Sequence, residues 1–100
     1  MPAGSDVRPL KCEGVIDLYD DGQYSAIWGR YEGKPCLGVR WNGAEGECGY
    51  PSQGGNPLWY VEQEFTTKQI LLTLLDRINS ETGQRRDEYM QNILTALRQC

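Results

Sequence analysis

The sequence predicts one α+β domain: an antiparallel β-meander of about four strands, followed by two C-terminal α-helices packed on the sheet. Two observations predict it. Between residues 10 and 41 apolar residues tend to alternate with polar ones, as in half-buried strands. Between residues 66 and 99 they recur every three or four residues, as in amphipathic helices. Because 100 residues is the size of one domain, we treat 1–100 as one unit and expect 1–8 to be a flexible arm.

The first predicted strand begins near Leu10 and ends at an Asp-Asp-Gly turn, residues 20–22. Its register depends on the length of that turn, because a slip of one residue moves every side chain to the other face. The core face would carry Val15, Asp17 and Tyr19 with a two-residue turn, or Cys12, Ile16 and Leu18 with a three-residue turn. We favour the three-residue turn, because it buries no aspartate.

The second and third predicted strands cover 24–31 and 34–41, and Glu32-Gly33 forms a two-residue hairpin turn between them. This turn fixes three cross-strand pairs on the predicted core face: Trp28 with Leu37, Ala26 with Val39, and Tyr24 with Trp41. The opposite face is mixed, with Ile27, Tyr31 and Cys36 among polar residues. We expect that face to be wet or used for contact.

A long irregular segment, 42–57, separates the hairpin from a short fourth strand at 58–61. It is rich in glycine and proline, and loops of this length in small domains are usually functional or disordered. Tyrosine, tryptophan and arginine dominate binding hot spots, and five such residues lie in or beside the segment. These predicted binding residues are Arg40, Trp41, Tyr50, Trp59 and Tyr60.

Two helices are predicted after the sheet, at about 67–79 and 84–98. Thr66 and Gln69 have the spacing of a capping box, with Phe65 and Ile70 as its hydrophobic staple. The first helix should pack on the sheet, with Leu74 at the centre of its apolar face. The second helix carries an apolar stripe that we assign to a homodimer contact: Tyr89, Met90, Ile93, Leu94 and Leu97. In the alternative, that helix folds back and the stripe joins the core of its own chain.

The sequence offers little for catalysis. It has no histidine, the commonest general base. Four carboxylates, Glu45, Glu47, Glu62 and Glu64, could be assembled into a hydrolytic pair or a metal site, but solvated loop carboxylates explain them more simply. The four cysteines form no CxxC pair, and a meander places Cys12 and Cys36 too far apart for a disulfide. We therefore predict no metal, no cofactor and no catalytic residue.

Charge and hydropathy limit the classes of partner and the cellular location that we expect for the chain. The net charge of −4 and the lack of a basic cluster argue against nucleic acid. No apolar stretch is long enough to span a membrane, and the first residues do not resemble a secretory signal. Reduced thiols fit the same picture, so we expect a cytoplasmic protein.

Four stretches, residues 24–31, 38–43, 49–51 and 56–61, together resemble small orphan proteins encoded in integron gene cassettes and related bacterial mobile DNA. The resemblance covers roughly residues 20–78 and rests on no named motif. It implies a bacterial origin and a compact, often homo-oligomeric, binding domain. It supplies no catalytic residue.

These observations favour a small non-enzymatic binding or interaction module that acts as a homo-oligomer, with itself, another protein or a small ligand as partner. The alternative is a small-molecule-binding protein or small enzyme whose site lies under the 42–57 loop, lined by Trp, Tyr and Glu residues. A nucleic-acid-binding regulator is the least favoured hypothesis.

Overall fold

The computed structural model describes residues 12–44, 46–53, 56–79 and 85–100. The predicted arm, 1–8, lies outside these residues. A four-stranded antiparallel sheet has the order β1-β2-β3-β6, and a two-stranded ribbon pairs β4 with β5. The strands are β1 (Cys12–Asp20), β2 (Tyr24–Tyr31), β3 (Lys34–Trp41), β4 (Ser52–Gln53), β5 (Asn56–Pro57) and β6 (Tyr60–Val61). Two helices follow, α1 (Glu64–Asn79) and α2 (Arg86–Gln99), so the predicted α+β class is confirmed.

The β2–β3 hairpin has the predicted register. Tyr24 pairs with Trp41, Ala26 with Val39 and Trp28 with Leu37. Glu32 and Gly33 both have positive φ, as the two central residues of a type I′ turn must. The strand order also places β2 between β1 and β3, which is the separation predicted for Cys12 and Cys36.

Strand β1 departs from simple alternation. Its register against β2 shifts twice, between Glu13 and Ile16 and again between Asp17 and Tyr19. These bulges bring the adjacent residues Leu18 and Tyr19 into the same core, at 0% and 2% exposure. The predicted core positions of Ile16 and Leu18 are confirmed. The Cys12 side chain lies outside the described part of the chain. Tyr19 joins the core because a bulge re-aims its side chain.

Helix α1 lies on the core face of the sheet. Leu71, Leu74 and Ile78 are buried, and Ile70 and Leu75 pack at the edge of the same cluster. The predicted capping box is wrong, because the helix begins at Glu64, two residues before Thr66. The Thr66 hydroxyl instead has two acceptors within reach for its one proton, the Gln63 carbonyl at 3.1 Å and the Glu62 carboxylate at 3.3 Å.

Phe65 is also misplaced by the sequence reasoning. Its side chain is 80% exposed, so it forms no hydrophobic staple with Ile70. The two predictions fail together, because both depend on Thr66 being the residue that caps the helix.

Helix α2 folds back on the core face beside α1. Tyr89 and Ile93 are buried in the cluster that contains Leu18 and Trp28, and Met90 and Leu97 pack against it. Leu94 is half-buried. The stripe assigned to a dimer contact therefore includes core residues of the same chain, and Tyr89 and Ile93 do not face outward as that assignment required.

Polar contacts fix α2 against the sheet. The Trp28 indole donates to Gln99 Oε1 at 2.7 Å, and the Asn92 amide donates to the Asp17 carbonyl at 2.7 Å. Arg85 pairs with Asp17 at 3.2 Å, just before the helix begins. These contacts join residues about 70 positions apart, and the helical periodicity gives no sign of them.

Part of the second face of the sheet is also buried, and the expectation of a wet or contact face is wrong for that part. Tyr31 and Cys36, nearer the hairpin turn, are half-buried. Ser25, Ile27 and Arg40 are 1–2% exposed. The segment after β3 lies over them: a Cβ placed on Gly38 would lie 3.6 Å from the Trp59 ring. The irregular segment is thus a cover for the sheet.

Candidate functional site

The candidate site is a cleft between α1 and one end of the sheet, with a volume of about 680 Å³. Strands β1 to β3, the residue after β6 and one face of α1 supply its walls. Its lining residues are Tyr19, Asp21, Gln23, Tyr24, Trp41, Glu62, Thr66, Gln69, Ile70, Thr73, Leu74 and Arg77. The cleft combines aromatic rings with both signs of charge, as small-molecule sites do.

Two aromatic rings form one wall. Tyr24 and Trp41 are a cross-strand pair, and their ring centroids lie 5.1 Å apart at an interplanar angle of 66°. This edge-to-face geometry is the favoured arrangement of two rings. Trp41 stays 56% exposed, although it lies on the predicted core face, because it stands at the end of β3 beside the open cleft. Its ring surface is available to a ligand.

Glu62 lies beside this aromatic wall. Its carboxylate accepts a hydrogen bond from the Thr66 hydroxyl at 3.3 Å. Burial, helped by the negative charge of Glu62, raises the pKa of Tyr24 to about 12. The Tyr24 hydroxyl is therefore a neutral hydrogen-bonding group at physiological pH.

At the other end of the cleft, three side chains form a chain of hydrogen bonds. The Arg77 Nε donates to the Tyr19 hydroxyl at 3.0 Å, and that hydroxyl donates to Asp21 Oδ2 at 3.2 Å. Burial would raise the pKa of Asp21. The amides of Tyr24 and Gln23, the Tyr19 hydroxyl and the charge of Arg77 outweigh burial, and the pKa falls below its ordinary value of 3.8.

The predicted binding residues divide between the two sides of the sheet. Trp41 lines the cleft. Tyr50 forms an antiparallel bridge with Trp41, and Tyr60 pairs with Val39. Since cross-strand partners point to the same face, Trp41, Tyr50 and Tyr60 share the helix-covered side of the sheet. Tyr50 and Tyr60 are 68% and 49% exposed, and neither lines the cleft.

Arg40 and Trp59 lie on the other side, inside the fold. The Arg40 guanidinium is 5.9 Å from the centre of the Trp59 ring and donates to the carbonyls of Leu58 and Cys48. Arg40 is 1% exposed, and desolvation lowers its pKa. It fastens the segment to the sheet, so a ligand under this loop would have to displace it. The structure does not bring the five predicted residues together into one site.

A second cavity of about 460 Å³ lies near the chain end, between the β2–β3 turn, the start of α1 and Cys100. It shares Glu62 with the first cleft. The Trp28 indole, which lines it, is already bonded to Gln99. Its other walls include Glu32, Lys34 and Pro35, which are exposed residues at and beside the β2–β3 turn. We therefore regard the first cleft as the better site.

The carboxylates considered for a metal site are not gathered into one. Within 12–44, 46–53, 56–79 and 85–100, no three acidic or cysteine side chains lie close enough to hold an ion. Glu45 lies outside the described residues. Glu62 and Glu64 both line the second cavity, while Glu47 lies exposed in the loop.

Sequence reasoning missed most of the cleft. Tyr24 and Trp41 could have been found, because the hairpin register already placed them side by side. Tyr19 reaches the cleft only through a bulge, and Arg77 follows it by 58 residues, so no local pattern connects them. Asp21 was interpreted only as a turn residue, which it also is.

Comparison with known proteins adds no relative: no protein-family model, curated protein or solved structure matches the chain. Neither of the two described helices is long and apolar enough to cross a membrane.

Proposed function

We propose that the chain is a small non-enzymatic binding module that holds a small organic ligand in the cleft between α1 and the sheet. The observation that carries this proposal is the meeting of the Tyr24–Trp41 ring pair with the polar groups of Glu62 and Gln69 in one concave site. A cleft of this size accommodates a ligand of metabolite dimensions.

The state of the polar groups favours binding over catalysis. Asp21 accepts hydrogen bonds from the Tyr19 hydroxyl and from the amides of Gln23 and Tyr24. A carboxylate held in this way is a weak base, since its pKa is lowered. Tyr24 keeps its proton, so it is not poised as a base at neutral pH. These groups suit the orientation of a ligand.

Three wider parts of the hypothesis accompany this proposal. We propose a cytoplasmic location, which the free thiols of Cys48 and Cys100 support. An origin in bacterial mobile DNA is supported by the resemblance to integron-cassette proteins. Homodimer formation stays a proposal as well, but the α2 stripe no longer argues for it.

The test is a fragment screen by two-dimensional nuclear magnetic resonance on the folded chain. We expect small aromatic and aliphatic fragments to perturb the Trp41 indole and the amides of Gln69 and Thr73. Trp41→Leu should abolish these perturbations. Tyr60→Leu is the matched control, because Tyr60 is exposed on the same face but lies outside the cleft.

Two results would contradict the proposal. Fragments could gather only elsewhere, for instance at the second cavity around Trp28. Alternatively, no fragment could bind to the folded protein at millimolar concentration. Either result would remove the cleft as the functional site.

A further inference from the structure

We propose that the ligand of the cleft is an organic cation, an alkylated ammonium group bound at the corner formed by Trp41, Tyr24 and Glu62. This inference rests on the proposed function and adds the chemical class of the ligand. It depends on how aromatic faces and charges are distributed along the cleft.

The charges separate along α1. Thr66, Ile70, Thr73 and Arg77 lie on one face of the helix, which forms the long wall of the cleft. Thr66 binds Glu62 at one end, and Arg77 lies about 16 Å further along the helix, at 1.5 Å per residue. Over an axial separation of that order the charge of Arg77 is largely screened, because the Debye length is about 8 Å at physiological ionic strength.

The Arg77 end is internally compensated. Arg77 donates to Tyr19, which in turn donates to Asp21, and the positive charge of Arg77 is one reason for the lowered pKa of Asp21. A cation and an anion thus balance each other there. An anionic ligand would have to compete with Asp21 for Arg77.

The Glu62 end is not compensated. Among the residues that the structure describes, no basic side chain pairs with Glu62, and its hydrogen-bond donor is the neutral Thr66 hydroxyl. The same carboxylate lies close enough to Tyr24 to help raise the pKa of its phenol. An added cation would find a negative charge at this corner without first breaking an ion pair.

Aromatic faces complete the site. A cation over a tryptophan or tyrosine face is attracted by the negative face of the ring, and tryptophan is the strongest partner. Trp41 presents more than half of its surface, and Tyr24 meets it at an angle of 66°, so the pair forms a corner. Ile70 lies in the same cleft and offers contact to the methyl groups of an alkylated ammonium, which a bare metal ion could not use.

The test compares three probes of nearly the same shape: choline, its uncharged isostere with a tert-butyl group in place of trimethylammonium, and pivalate, an anion with the same tert-butyl group. Binding is followed through the Trp41 indole resonance. We expect choline to bind about five-fold more tightly than the isostere, the upper range for a cation–π contact at an exposed site, and pivalate to bind most weakly. Added salt should weaken the binding of choline and leave the isostere unchanged.

Two variants locate the charge that is responsible. Glu62→Gln keeps the shape and the hydrogen bond from Thr66. It should weaken the binding of choline and remove its salt dependence, and it should leave only the part of the preference over the isostere that the Trp41 and Tyr24 faces supply. Glu13→Gln is the control, because Glu13 is an exposed glutamate of β1 outside the cleft, and it should preserve the preference for choline.

The outcomes separate this inference from the proposed function. Equal binding of choline and the isostere, or tighter binding of pivalate, overturns the organic cation and leaves the cleft as a ligand site. The same holds if fragments enter the cleft and choline does not. Failure of every fragment and every probe to reach the cleft overturns both proposals.

Discussion

On the sheet face that carries Trp28 and Leu37, two helices exclude water with apolar side chains. On the opposite face, which carries Ser25 and Arg40, an irregular loop excludes water with polar contacts. There the Ser25 hydroxyl donates to Asn42 Oδ1 at 2.8 Å, and Arg40 bonds two carbonyls of the loop. Ser25, Ile27 and Arg40 are buried as completely as the core residues under the helices, but the forces that bury them differ. The helix face depends on apolar area. The loop face depends on hydrogen bonds to its buried polar groups, although the Nε of Arg40 has no hydrogen-bond partner among the described residues.

This difference explains where the cleft lies. Helix α1 covers the middle of its face and leaves the end near Trp41 open. The loop covers its own face closely, since a Cβ on Gly38 would already touch Trp59. The open site is therefore on the apolar side of the sheet, at the end of the helix cover, and not under the loop.

The strongest test of the comparison is an unpaired charge in the helix-covered core. Ile93 is fully buried, and burying a lone carboxylate there costs several kcal/mol. This cost is a large part of the free energy of unfolding of a small domain, which is about 5–15 kcal/mol. We expect Ile93→Asp to be largely unfolded by circular dichroism. Leu72→Asp is the control, because Leu72 is 46% exposed on α1, and should cost about 1 kcal/mol or less.

A different result for Ile93→Asp would support the homodimer hypothesis. If the variant stays folded and sedimentation shows a dimer of the wild type becoming a monomer of 11.3 kDa, the stripe on α2 is an intermolecular contact. The assignment of Ile93 to the core of its own chain would then be wrong.

The second test addresses the loop face. Gly49 has a φ of +78°, and a Cβ there would overlap the carbonyl oxygen of Trp41 and crowd the Arg40 guanidinium. We expect Gly49→Ala to cost on the order of 3 kcal/mol, from left-handed strain and overpacking together. Gly46→Ala is the matched control. Gly46 has a similar φ of +83° but no neighbour within 4 Å, so only strain of about 1 kcal/mol remains.

Hydrogen exchange shows whether the two faces separate. In Gly49→Ala we expect faster exchange at Asn42 and Tyr50, whose amides bond to Gln23 and Trp41, while α1 and α2 stay protected. Equal loss of protection in the helices would mean that the two faces unfold as one unit. The difference in packing between the two faces would then produce no difference in their stability.

The two faces also differ in how far sequence could predict them. The hairpin register followed from a two-residue turn, and the burial of Leu71, Leu74 and Ile78 followed from helical spacing. Both are local patterns. The role of Arg40 was predicted wrongly, because an arginine beside a loop suggests a binding group until its carbonyl partners at positions 48 and 58 are known. Tyr19 was misassigned because alternation cannot anticipate a bulge.

The smallest expected effect concerns the turn at the end of the sheet, which belongs to neither face. Asp21 has a lowered pKa in the folded chain, so its charge stabilises the fold above its ordinary pKa of 3.8 and loses that effect as the pH falls through the folded value. Asp21→Asn removes the charge and keeps one oxygen as the acceptor for the amides of Gln23 and Tyr24. It also replaces Oδ2, the acceptor for the Tyr19 hydroxyl, with an amide nitrogen. We expect the variant to be slightly less stable than the wild type at neutral pH, with the two curves converging in acid. Tyr19→Phe, which removes one donor to Asp21 and keeps the ring in the core, should give an intermediate acid dependence in urea titrations at a series of pH values. A constant difference between wild type and Asp21→Asn at every pH would show that the charge of Asp21 does not stabilise the turn.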